Sequence, residues 1–182
     1  MNAKRHKLLV EEMHRLTPEQ YKASQTVPLV IVLDDVRSLY NVGSIFRTAD
    51  AMGVRALCLC GITGRPPQQE IHKTALGAED AVPWTYYADI LDCLRDLRHQ
   101  GYAIAAVEQV EGSRKLGDDD VVDERPLALI MGNEVKGVAQ SAVDAADYCI
   151  EVPQHGTKHS MNVAVTAGIV MWEICKNIRR RP

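Results

Sequence analysis

An α/β fold, with a mostly parallel sheet flanked by helices, is what this 182-residue chain predicts, on three observations. Apolar runs of five residues recur at 29–33, 56–60 and 127–131, the first of them rich in β-branched residues, the composition of strands buried on both faces. Amphipathic stretches of helical period lie between them, and strands alternating with helices mark βα units. Polar, glycine-bearing loops follow several of the strands, which is where parallel sheets gather ligands. The length suits one domain with a sizeable core. We divide the chain into an N-terminal helical extension, 1–25, and a domain spanning 26–182, a single domain overall.

The elements follow in order. Residues 3–15 read as a helix, basic on one side through Lys4, Arg5, Lys7 and Arg15, with Leu8, Leu9 and Met13 on the other. Thr17-Pro18-Glu19-Gln20 is a capping box with proline in the first turn, so a short helix follows. The run 29–33 is a buried strand and 34–40 a loop. Asn41 then caps a helix whose inner stripe is Val42, Ile45, Phe46, Ala49 and Met52, closed by Gly53. A second buried strand covers 56–60, a loop rich in glycine and proline covers 61–69, and a short helix includes 72–75. Residues 82–86 read as a strand, 90–98 as an amphipathic helix ended by Gly101, and 102–107 as a strand. A solvated loop at 111–120 precedes the strand 127–131 and a helix at 139–145. A short strand then breaks at Pro153, and a long helix enters through Ser160-Met161-Asn162. Its early residues Ala164, Ala167 and Gly168 are small enough for a close neighbour.

A hydrophobic fraction of 46% and a charged fraction of 25% place the chain among soluble globular proteins. The net charge of −3 argues against wholesale coating by nucleic acid, while leaving room for a local basic patch. No apolar run reaches the roughly 18–20 residues of a membrane helix, and the N-terminus lacks a signal-peptide core, so the expected location is cytoplasmic with no membrane partner. Cys58, Cys60, Cys93, Cys149 and Cys175 are scattered in apolar stretches without a Cys-x-x-Cys pair. They read as free core thiols, and no metal site is expected.

Three polar loops leave strand ends: 34–47, 132–137 and 153–162. None carries a phosphate-cradling G-x-x-x-x-G-K-[ST] or a dinucleotide G-x-G-x-x-G, which weakens the commonest nucleotide-binding readings and disfavours an unrelated nucleotide-binding enzyme. A G-x-S-x-G nucleophile elbow is also missing. Asn41-Val42-Gly43-Ser44-Ile45-Phe46-Arg47 resembles the first motif, N-x-G-x-x-x-R, of the SpoU/TrmH-like RNA 2′-O-ribose methyltransferases of the SPOUT superfamily. Gly132-Asn133-Glu134 with Gly137, preceded by Ile130-Met131, resembles the second, G-N-E-x-x-G. Val152-Pro153 followed by Ser160-Met161-Asn162-Val163 resembles the third, I-P-M then S-L-N-V-S. The motifs keep the family's order and spacing and, with the strands around them, span 29–172. Gln154, Met161 and Ala164 depart from it, standing where methionine, leucine and serine are usual.

The resemblance implies a SPOUT-type sheet whose C-terminal part is tied in a trefoil knot, which strand and helix patterns alone never propose. It implies S-adenosylmethionine held by Ile130, Met131, Gly132, Asn133, Val152, Gln154 and Met161, a homodimer with active sites at the subunit interface, and tRNA or rRNA as substrate. It makes Asn41, Arg47, Glu134, Ser160 and Asn162 the catalytic set. A guanidinium with pKa above about 12 is a poor proton acceptor, so Arg47 is better suited to clamp the phosphate beside the target ribose than to act as base. Water, or a strongly perturbed Arg47, takes the hydroxyl proton. Asn41 orients Arg47 or the ribose, and Glu134, Ser160 and Asn162 supply hydrogen bonds. His155 and His159 read as RNA-side or solvated residues. Arg65, His72 and Lys73, and the basic termini with 176–181, can touch RNA backbone or simply face water. The alternative is a non-catalytic RNA-binding or assembly dimer on the same fold.

Overall fold

The computed structural model describes residues 6–9, 11–118 and 121–180. Seven strands form one sheet in the order β3-β2-β1-β6-β4-β7-β5, every neighbouring pair parallel. They are β1 (Val27–Asp34), β2 (Val54–Cys60), β3 (Trp84–Tyr87), β4 (Ala103–Val107), β5 (Arg114–Lys115), β6 (Leu127–Met131) and β7 (Tyr148–Glu151). The helices are α1 (Pro18–Ala23), α2 (Leu39–Met52), α3 (Gln69–Ala75), α4 (Ala78–Ala81), α5 (Ile90–His99), α6 (Gln140–Ala145) and α7 (Val163–Arg180).

Strand pleating explains why the apolar runs are unbroken. Leu29, Ile31 and Leu33 of β1, with Leu127, Leu129 and Met131 of β6, pack on one face against α1 to α4 and α7. Val30, Val32, Ala128 and Ile130 point the other way, into a second core closed by α5 and α6. Alternate residues thus serve opposite layers, and neither face can tolerate a polar side chain. All five cysteines are buried free thiols, as their apolar settings predict. No described helix is long and apolar enough to cross a membrane.

The N-terminal expectation is corrected. Of residues 3–15, those described form only a 3₁₀ turn at Glu11–Met13, with Leu8, Leu9 and Met13 exposed. Without an apolar surface to cover, so short a segment cannot offset the cost of helix nucleation. Lys4, Arg5 and Arg181 of the basic termini lie outside the described residues. The capping box at α1 forms as expected, Thr17 Oγ1 accepting from Gln20 N. Tyr21 anchors this helix, its hydroxyl donating to Val54 O at 2.7 Å.

One cap differs. Ser38, not Asn41, caps α2, and Asn41 sits inside the first turn. At the start of α7, Asn162 Oδ1 accepts from Ala164 N (2.9 Å) and Val165 N (3.2 Å), so Asn162 does the capping. Gly53 closes α2 in the left-handed region, as predicted. The two-residue β5 and the four-residue α4 were not legible in so few residues.

Helices α2 and α7 run side by side in the same direction. Asn162 meets Asn41 at their starts, and Arg179 donates to Met52 O (2.7 Å) at their ends.

Candidate active site

The carboxyl ends of β4, β6 and β7 open into one cleft of about 480 Å³. Its floor is the loop after β6. Asn133 and Gly137 exchange two backbone hydrogen bonds, each 2.9 Å, closing the loop into a tight turn. Inside it, Asn133 Oδ1 accepts from Val135 N and Lys136 N, and Asn133 Nδ2 donates to Asp35 O (2.7 Å), tying the turn to the end of β1. The two glycines are required by space. A Cβ on Gly132 would lie 2.2 Å from Gly137 C, and one on Gly137, which holds φ +69°, would lie 2.1 Å from Glu108 Oε2.

Glu134 joins this turn to α2. Its carboxylate accepts from Arg37 N (3.0 Å), Ser38 N (2.9 Å) and Asn41 Nδ2 (2.9 Å). Partial burial raises its pKa, but these donors outweigh that and leave the carboxyl below its ordinary range. Asn162 Nδ2 in turn donates to Asn41 Oδ1 at 3.2 Å. One chain of contacts, Glu134 to Asn41 to Asn162, therefore joins three stretches, its two bonds spanning 93 and 121 residues of sequence. Both Glu134 oxygens are engaged as acceptors, a positioning arrangement rather than that of a base.

Among the expected site residues, Met131, Gly132, Asn133, Glu134, Val152, Gln154, Ser160 and Met161 line the cleft. Asn41 and Asn162 border it through the junction just described. Ile130 does not: its side chain is fully buried in the core beneath α5 and α6, so only its backbone faces the neighbouring strands. Arg47 is exposed on α2, outside the cleft wall, with no hydrogen bond or ion pair among the described residues. Six residues beyond Asn41, it lies about 120° around the helix. Asn41 is bonded to Glu134 and Asn162, so within one chain it does not orient Arg47.

Three supporting residues escaped the sequence reading. Glu108, at the end of β4, accepts from Val138 N (3.0 Å) and Gln109 N (2.8 Å), and its carboxylate faces the cleft. Gln109 Nε2 donates to His159 O (3.0 Å), reaching the third loop. Asp34 is only 4% exposed; its Oδ2 accepts from Ala139 N (2.8 Å), while burial drives its carboxyl pKa up. The available signal was acidic residues placed directly after buried strands, where a charge needs a fixed partner.

A family model described as the SpoU rRNA Methylase family matches residues 28–172. The chain belongs to that family. Among relatives of the same kind, it is 33% identical over 153 residues to the 23S rRNA (guanosine-2'-O-)-methyltransferase RlmB of Nitrosomonas europaea, covering 84% of this chain and 58% of the relative. A putative TrmH family tRNA/rRNA methyltransferase of Staphylococcus haemolyticus is 28% identical over 156 residues, or 86% of this chain and 61% of its own. The chain thus spans about three fifths of the length of these curated relatives. In structure it is similar to an AdoMet-bound rRNA methyltransferase from Sinorhizobium meliloti, with TM-score 0.75 and 30% identity over 88% of this chain and 59% of that one. It is also similar to the A. aeolicus TrmH/SpoU tRNA modifying enzyme, with TM-score 0.77 and 25% identity over 89% and 82%. A SpoU-family α/β fold with a seven-stranded parallel sheet agrees with the architecture expected from the sequence.

Proposed function

We propose that this protein is an S-adenosylmethionine-dependent RNA 2′-O-ribose methyltransferase acting on tRNA or rRNA in the cytoplasm. The observation that carries this reading is the Glu134–Asn41–Asn162 junction at the rim of a glycine-floored cleft. The cleft suits such a cofactor. Its volume falls in the range of small-molecule sites, and its apolar side chains (Val107, Met131, Val152, Met161) can enclose an adenine. The Glu108 carboxylate suits the cationic end. Gly132, Asn133 and Gln154 supply the remaining polar contacts. When bound, S-adenosylmethionine supplies a methyl group on a sulfonium, which needs no metal to leave.

The chain's own task is orientation and proton removal. Asn41, fixed on both sides, presents a rigid amide to the ribose. Arg47, exposed and without a partner among the described residues, grips the phosphate next to the target nucleotide, and Ser160 lines the approach. Glu134 stays ionised and holds the start of α2, leaving the hydroxyl proton to water.

A homodimer belongs to the same reading. Val165, Ile169 and Trp172 form an exposed apolar stripe along α7, beside the small Ala164 and Gly168 and next to Leu116. A partner docked there accounts for an Arg47 that does not reach the cleft of its own chain. The trefoil threading belongs to the same reading, and the bond from Gln109 Nε2, after β4, to His159 O in the third stretch supports it.

The test is transfer of labelled methyl from S-adenosylmethionine to bulk tRNA and to rRNA, with wild type beside Arg47→Ala. Incorporation by wild type and its loss in the variant support the enzyme, and mapping the labelled nucleotide identifies the RNA. No incorporation while the cofactor still binds favours a non-catalytic RNA-binding dimer.

A further inference from the structure

Helix α2 shows a stripe that neither the cleft nor the core uses. At 100° per residue, Tyr40 and Arg47 lie within about 20° of each other on the helix, with Ser44 between them. The faces on either side are occupied. Gly43 abuts Ile71 O of α3, and Asn41 and Thr48 meet Asn162 and Gly168 of α7. Val42, Ile45, Phe46 and Ala49 fill the core. The Tyr40 stripe is thus the outward one, framed by α3 and α7. Tyr40 is 50% exposed, an uncommon position for an aromatic ring. Ser44 turns its hydroxyl onto Tyr40 O at 2.8 Å, so its side chain folds away from the ring. The Arg37 side chain, three residues earlier, is exposed and, like that of Arg47, has no partner among the described residues. Arg37 N and Asn41 Nδ2 both bond Glu134, so this stripe begins beside the catalytic junction.

An exposed aromatic ring flanked in sequence by two exposed guanidiniums, neither paired among the described residues, is the arrangement that holds single-stranded nucleic acid. The ring stacks on a base, and the cations follow the phosphates. We propose that Tyr40 is a stacking platform for an unpaired base at or next to the target nucleotide, with Arg37 and Arg47 holding the flanking phosphates. This rests on the RNA methyltransferase reading and gives its substrate a class: RNA presented single-stranded, in a loop or bulge, and not as a duplex whose bases are already stacked.

The probe is a fluorescein-labelled ten-nucleotide single strand of adenosine or uridine, titrated with the full chain by anisotropy at several salt concentrations. Tyr40→Ala weakens binding on the order of tenfold at unchanged salt dependence, and Tyr40→Phe binds within twofold of wild type. Arg37→Ala instead reduces the slope of log affinity against log salt by about 0.7, the loss of one phosphate contact. A Tyr40→Ala protein that binds the strand like wild type overturns the proposal. So does one whose sedimentation shows a changed subunit association, since the ring then belongs to a protein contact. Methyl transfer is read separately. If wild type binds the strand with this Tyr40 dependence but transfers no methyl group, the enzymatic reading fails and the stacking site stands.

Discussion

Replacing Glu134 by alanine removes three hydrogen bonds in one step, those from Arg37 N, Ser38 N and Asn41 Nδ2. A bond to an ionised acceptor contributes about 1.5–3 kcal/mol. Glu134 is half-exposed, so water restores part of each, and the three together come to about 2–4 kcal/mol. For a chain of this size that lowers Tm by about 5–15 °C. Glu134→Gln recovers little, because its amide sets a donor against one of the backbone N–H groups. The sign with pH is fixed. Burial raises this carboxyl but the hydrogen bonds prevail, so its folded pKa lies below the unfolded value of about 4.3. Its stabilisation is complete above that value and is lost as pH falls through the folded one, so the gap between wild type and Glu134→Gln narrows in acid. The assay is thermal unfolding at one protein concentration from pH 3 to pH 8. A Glu134→Ala protein melting within about 2 °C of wild type at pH 7 refutes the reasoning, and a gap that widens in acid refutes the assigned protonation state.

Gly137→Ala forces a side chain into a left-handed backbone and onto Glu108 Oε2, destabilising by about 1–3 kcal/mol and weakening S-adenosylmethionine binding in calorimetry. Asn162→Ala removes the α7 cap and frees Asn41; urea denaturation shows a loss of about 1 kcal/mol, and kcat falls more than stability alone explains. Trp172→Glu places a charge in the apolar stripe of α7, and if the proposed dimer docks there sedimentation velocity shows the variant as monomer and wild type as dimer. Tyr21→Phe loses the bond to Val54 O and lowers unfolding free energy by about 1 kcal/mol without affecting transfer.

The strands and the long helices were legible because each leaves a periodic trace. The uninterrupted 29–33 and 127–131 runs state that both faces are covered, and the stripe from Val42 to Ala49 states which face of α2 turns inward. Elements of two to four residues leave no such trace: β5 exists because Arg114 and Lys115 find β7 beside them, a tertiary fact. The α2 cap failed for a related reason. Ser38 and Asn41 are both good cap residues, and nothing local chooses between them. The choice was made 93 residues away, by Glu134 drawing the Asn41 amide toward itself. The three motifs were readable as strings, whereas Glu108, Gln109 and Asp34, which brace the loops, appear only as single polar residues after apolar strands.

That bracing bears on which group would remove the ribose proton in the proposed reaction. Every carboxylate near the junction already has work: Glu134 accepts from three donors, Glu108 from Val138 N and Gln109 N, and Asp34 from Ala139 N. Moving a proton onto any of them would weaken the loop it holds, so catalysis there would loosen the geometry that catalysis needs. The junction works best if its charges never change. Its contribution is then to keep the Asn41 amide and the start of α2 in place while the proton leaves to water. An acid limb in the pH–rate profile that survives Glu134→Gln separates these roles: a base would take the limb with it, whereas a brace lowers the rate at every pH and leaves the limb where it was.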